Sequence, residues 1–260
     1  MFELFAMSLR EYWNEVDRGD ADVEESIDEL QSVLSEHYGK KVTWDEPEFD
    51  PSKNDEEISV DVIDDRQISA VHAVAAKLEL DDNLDGLEFD PEEPWECNVF
   101  DRLADELEDE ATDNDVEKFC HLLSIGNSAE CIAIPVDLPF VAQININGDE
   151  EEEGEEHHCD CGEDDCCCED DNSIDIASLP ALRKELDKIA DVLKLDKSLS
   201  IDDVDGNAFD ENDPYRHAKL GWYLLSSKVN EATKAGIPLI IRFTDDEEYD
   251  DIEDEEEAEA

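Results

Sequence analysis

The stretches DGLEFDPEEPW (residues 85–95) and DGNAFDENDPY (residues 205–215) share one pattern at a constant offset of 120 residues. Asp85-Gly86, Phe89-Asp90 and Pro94-Trp95 match Asp205-Gly206, Phe209-Asp210 and Pro214-Tyr215. Each part has a structural use. Glycine permits positive φ, proline starts the following helix, and the phenylalanine and the last aromatic anchor the loop.

The likeness extends outward from these stretches. Leu78-Glu79-Leu80-Asp81 resembles Leu193-Lys194-Leu195-Asp196, each closing a helix. Glu110-Ala111-Thr112 resembles Glu231-Ala232-Thr233, each near a helix end, and an apolar strand with a proline follows at Ile134-Pro135 and at Ile237-Pro238. The order strand, helix, turn, helix, strand therefore occurs twice, which predicts an internal duplication of a β-α-α-β unit. The competing reading is chance similarity in a chain rich in aspartate.

Periodicity supplies the elements. Val23, Ile27, Leu30 and Leu34 mark a helix over 22–37, and residues 45–57 read as a Pro- and acid-rich loop. Ile58, Val60 and Val62 alternate as a half-buried strand. Helices are predicted at 67–79, 96–111 and 115–124, then strands at 131–136 and 140–147. Ile174 and Ile176 resume alternation, Ser178 caps a helix carrying Leu182, Leu186 and Ile189, and a last helix spans 214–235 up to Gly236. IPLIIRF (237–243) is a continuous apolar run and reads as a strand buried on both faces. Phe2, Phe5, Leu9, Tyr12 and Val16 recur at helical spacing and predict a helix at the start of the chain.

The fold class expected is α+β, with a mixed or antiparallel sheet covered by helices. The expected organisation is an N-terminal helical extension (1–54), a first α/β half (55–148), a disordered acidic Cys/His-rich insertion (149–172), a second α/β half (173–244) and a disordered acidic tail (245–260).

Composition limits function. The chain has 260 residues, with 79 acidic and 19 basic side chains and a formal charge of -60. Fourteen of the acids lie in 149–172 and twelve in 245–260, so the remaining 220 residues still carry 53 - 19 = 34 net negative charges. Such a field repels nucleic acid and anionic membranes and attracts cations and basic surfaces. High-salt adaptation would account for the acidity, but lysine outnumbers arginine 12 to 7, which is not its usual pattern. No segment approaches a membrane span, and MFELFAMSLREYW lacks the basic and long apolar regions of a secretory signal. The sequence is thus read as cytoplasmic, with its eight cysteines as thiols or metal ligands.

One segment could carry metal chemistry. His157, His158, Cys159, Cys161, Cys166, Cys167 and Cys168 offer imidazole and thiolate ligands inside a field of carboxylates, a set that suits zinc or copper. Their spacing is not that of paired C-x-x-C knuckles, so a cysteine-bearing acidic insertion with no metal role is the alternative. Asp81, Asn83, Asp85, Gly86 and Glu92 match a calcium-loop pattern, but Pro91 and Pro94 interrupt the second helix that the motif needs, and a plain turn is the better reading. No nucleophile constellation, phosphate-cradling loop or H-E-x-x-H motif is present. Cys97, Cys120 and Cys131 read as small core hydrophobes, His72, His121 and His217 as lone histidines, and the four tryptophans as core or rim.

These observations lead to a non-enzymatic cytoplasmic interaction protein with a strongly acidic surface. A basic protein is its expected partner, with no nucleic acid and no membrane. Metal binding or buffering through 157–168, and an enzyme of unidentified class, are the two alternatives.

Overall fold

The computed structural model describes residues 1–15, 23–47, 60–88, 90, 93–110, 118–145, 173–199, 201, 204, 209–210 and 212–244. Strands are β1 (Phe2–Ala6), β2 (Asp61–Ile63), β3 (Glu130–Ile134), β4 (Ala142–Asn145), β5 (Ser173–Ser178) and β6 (Leu239–Phe243). Helices are α1 (Leu9–Glu15), α2 (Val23–His37), α3 (Asp65–Asp81), α4 (Asn98–Glu110), α5 (Cys120–Leu123), α6 (Leu179–Leu193) and α7 (Arg216–Ala235), with a 3-10 turn at Pro94–Glu96. The fold is α+β.

The strands form one mixed sheet in the order β2-β1-β6-β3-β5-β4. Only β3 and β5 run parallel, and the other neighbours are antiparallel. Period-2 alternation sends side chains to two cores. Leu239 and Ile241 of β6 join Phe2, Leu4, Cys131 and Ala133 beneath α3, α5, α6 and α7. Ile240 joins Phe5, Ile132, Ile134, Ile174 and Ile176 beneath α1 and α2. The run at 237–243 is apolar from Ile237 to Ile241 because its strand is central and covered on both faces there, and Arg242 near its end pairs with Glu3.

Local rules set several boundaries. Asp64 accepts from the Arg66 N–H, and Gln67 closes a capping box at the start of α3. Ser178 accepts from the Ala181 N–H ahead of Pro180 in α6. Gly236, at φ 71°, ends α7 in the left-handed region.

The expected helix at the start of the chain is corrected. Residues 2–6 are a strand between β2 and β6, and a helix begins only at Leu9. Phe2 and Leu4 serve one core and Phe5 the other, so a strand buried on both faces mimicked helical spacing.

The internal duplication is not confirmed. Two helices join β5 to β6, but the first copy carries the extra helix α5 before β3, and the sheet does not repeat the arrangement. Nothing separates β3 from β5, whereas β1 lies between β6 and β2. The helix ends are also out of step. With Leu78–Asp81 set on Leu193–Asp196, the left-handed cap Asp82 should fall at Lys197, yet it falls at Lys194. Asp205-Gly206 and Phe89, on which the sequence match rests, lie outside the described residues, as do the segments 149–172 and 245–260.

A candidate acidic interaction surface

Two helices put carboxylates on the outside. The apolar stripe of α2 buries Ile27 and Leu34, leaving Glu24, Glu25, Asp28, Glu29 and Glu36 exposed. Arg10 of α1 reaches across to Glu24 and also donates to the Glu46 and Pro47 carbonyls, so it ties α1 to α2. No Lys or Arg belongs to α2 itself.

The second surface runs from the end of α3, through the 3-10 turn, onto α4. Asp82, Asp85, Glu88, Asp90, Glu93 and Glu96 are exposed along the connection, and Asp101, Asp105 and Glu106 continue it on α4. Helix α4 holds to the body through Val99 and Leu103, which are buried, and packs against α3. Three cations at this surface are paired with its carboxylates, Lys77 buried and Arg102 and Lys118 half exposed. The Lys77 and Arg102 nitrogens lie 2.5 and 3.3 Å from the Asp81 carboxylate, and Lys118 lies 2.9 Å from that of Asp82. Hydrogen bonds from Lys77 and then Arg102 hold the Asp81 carboxyl below its ordinary range. The same contacts settle the calcium-like pattern. Asp81 serves two cations, the Asn83 amide donates to the Asp81 carbonyl, and Asn83 Oδ1 accepts from the Asp85 N–H, which makes an Asx turn with Gly86 at φ 74°.

Trp95 stands in the 3-10 turn between these carboxylates and is 49% exposed, while Trp44 and Trp222 are buried. Sequence spacing gave no sign of this, because an aromatic beside Pro94 reads equally well as a loop anchor. The exposure makes Trp95 a reporter of the local field. Caesium ion should quench its fluorescence well and iodide poorly, each relative to free tryptophan amide, because carboxylates gather cations and repel anions. Trp95→Phe should remove the caesium-sensitive emission. Equal normalised quenching by the two ions at low salt would show that the surface field is not negative.

Inside the fold, a polar knot holds α5 in place. Glu185 of α6 is buried, and its carboxyl accepts from the Leu122 N–H at 2.7 Å and the His121 N–H at 3.4 Å. The His121 Nδ1 accepts from the Ser178 N–H at 3.1 Å, and a bond to the Leu138 backbone engages its ring as well. Burial raises the Glu185 carboxyl to about 8 and lowers His121 to about 4. Cys120, His121 and Glu185 have ligand atoms within 4.8 Å of one another. The His121 lone pair and the Glu185 oxygens are already spent on backbone groups, so this is a packing device. Cys97 and Cys131 are buried, and burial pushes the Cys131 thiol up to about 12, in keeping with core thiols. His157, His158, Cys159, Cys161, Cys166, Cys167 and Cys168 lie outside the described residues. No helix among the described residues is long and apolar enough to cross a membrane.

Comparison with known proteins adds one finding. The family model described as "Putative DNA-mimic protein" matches residues 5–241, and the chain belongs to this family. No curated protein and no solved structure matches it. The match corrects two expectations. The acidity is not that of an unspecific acidic interaction protein, because the family points to imitation of DNA. Nucleic acid cannot be struck from the partner question either. Repulsion between like charges led to that exclusion, but in a mimic the same negative charge stands in for DNA, and the partners implied are DNA-binding proteins.

Proposed function

We propose, with membership of a DNA-mimic family as the premise, that this protein occupies the DNA-binding surface of a DNA-binding protein and thereby excludes DNA. The observation that supports the reading is the spacing of charge along the exposed helices. Fifteen residues of α2 rise about 22 Å and thirteen of α4 about 20 Å, at roughly 1.5 Å per residue. Five residues of α2 are acidic, one per about 4 Å, and Asp101, Asp105 and Glu106 are exposed over the first nine residues of α4, one per about 4–5 Å. One strand of duplex DNA carries one phosphate per about 3.4 Å of axis. A surface adapted to bind phosphates would therefore meet charge at a familiar density on a rigid, folded support.

The acid-dense segments 149–172 and 245–260 add 26 carboxylates by sequence and would raise the long-range attraction. A cytoplasmic location, with access to DNA-binding proteins, goes with this reading.

Competition tests it. A cell extract is bound to DNA-cellulose, and the purified protein is applied at low salt. It should release a subset of the bound proteins. Release should weaken steeply as salt rises, since the contact is largely ionic. A protein that releases nothing at low salt, at concentrations where free duplex DNA does, is not a DNA mimic.

A further inference from the structure

We propose that the partner's DNA-binding groove seats on the face built by the 3-10 turn and α4, with Trp95 as the residue that sets specificity. The inference rests on the mimic reading and deepens it by choosing one of two acidic faces.

Four observations converge on this face. First, α4 packs on α3, with Val99 and Leu103 buried, while Asp101, Asp105 and Glu106 on its other side are exposed. Second, Trp95 is the most exposed of the large hydrophobic side chains described, and it stands in the 3-10 turn between the exposed Glu93 and Glu96, just ahead of α4. An exposed tryptophan ringed by charge is a typical interface anchor, because burial of its flat surface excludes water from the surrounding ion pairs. Third, cations of the chain lie over the rings of Phe5, Tyr38, Phe119 and Phe209, and among the described residues none lies over Trp95. Its face is therefore open to a guanidinium from outside. Fourth, Lys77, Arg102 and Lys118 are drawn onto Asp81 and Asp82, which keeps the neighbouring carboxylates dominant.

The α2 face differs in the feature that concerns recognition. It has comparable charge, but its exposed large hydrophobic side chain is Val33 alone. Charge complementarity commits the Trp95 face to a basic occupant. A second copy of this chain would bring like charge against like. DNA-binding proteins present arginines for phosphates, and those same planar side chains stack on indole. Charge alone would attract any basic protein, whereas a tryptophan that must be covered admits only grooves of matching shape.

The DNA-cellulose experiment can be run with four variants. Trp95→Ala, and the triple change Asp101→Asn with Asp105→Asn and Glu106→Gln, should each need at least tenfold more protein for the same release. Trp95→Phe should act like the wild type. The α2 control, Glu25→Gln with Asp28→Asn and Glu29→Gln, removes the same number of charges and should lose less than threefold. Circular dichroism melts verify that each variant is folded. Equal losses for the α2 and α4 triples, or no loss for Trp95→Ala, would overturn the assignment of this face while leaving the mimic reading intact. A wild type that releases nothing would overturn both.

Discussion

Gly221→Leu is expected to leave the chain without enough stability to fold, and Gly221→Ala to lower stability by about 1–2 kcal/mol. Gly221 lies in the middle of α7, where it faces α3. A Cβ built there would stand 2.7 Å from the Gln67 carbonyl oxygen and 2.9 Å from Val71 Cγ2. The first of these atoms is backbone inside α3 and cannot swing away. Alanine should favour the helix by about 1 kcal/mol over glycine, so a net loss requires that the clash cost more than propensity returns. Leucine adds three further carbons with no room for them, and the two helices would have to part. That separation would open the core formed by Val71, Ala75, Ala218, Trp222 and Leu225. Urea denaturation of the two variants decides the matter. If Gly221→Ala is more stable than the wild type, the helices do not approach this closely.

The same crossing shows what a sequence can and cannot reveal. The faces of α3 and α7 were legible because Ile68, Val71 and Ala75, and Ala218, Trp222, Leu225 and Val229, recur at helical spacing on partly solvated helices. Gly221 falls inside that stripe, and only the distance to Gln67 tells that the gap is needed. The strand at 239–243 was legible for the opposite reason, since a run with no polar residue before Arg242 suits a strand covered on both faces. The strand at 2–6 is equally central, but its apolar residues could be placed on a helix that extends into α1, and spacing alone preferred the longer element. The duplication expected from the paired Asp-Gly stretches is not confirmed, since β1 lies between β2 and β6, a relation that no local pattern encodes.

For the candidate surface, total acidity was legible and its meaning was not. The sign of the charge led to the exclusion of nucleic acid, since like charges repel. A mimic is the case in which that inference must be reversed: the charge resembles the nucleic acid and the partner is the protein that reads it. What separates the two cases is arrangement. Carboxylates at roughly 4–5 Å of helix rise per charge approach the spacing of a phosphate strand, and an exposed Trp95 in the adjoining turn offers more than attraction. Both depend on which residues face outward, and neither follows from the count of acids.

Substituting Glu185 by glutamine should change the response of stability to pH in a narrow window. The carboxyl is buried between α5 and α6, and burial is the main cause that raises it to about 8. The Leu122 and His121 N–H groups and then Lys188 oppose the rise, and Glu79 adds to it. An acid that holds its proton more tightly when folded than when unfolded stabilises the fold fully below its unfolded value, here 4.5, and loses that contribution as pH climbs towards 8. The wild type should therefore lose about 1.4 kcal/mol per pH unit relative to Glu185→Gln between those limits, and the difference should be flat outside them. His72 and His121 act in the opposite sense. Burial lowers both to about 4, so the stability each contributes is lost as pH falls from 6.5 through that value. His72 is common to the two proteins and cancels in the comparison, as does the general relief of carboxylate repulsion on acidification, whereas His121, which touches Glu185, is removed from it by reading the slope above pH 6.5. Urea denaturation of the pair at intervals from pH 4 to pH 9 isolates Glu185. A constant difference across the series would mean that this carboxyl titrates as it does in solvent, and that the hold of α6 on α5 is not the buried one described.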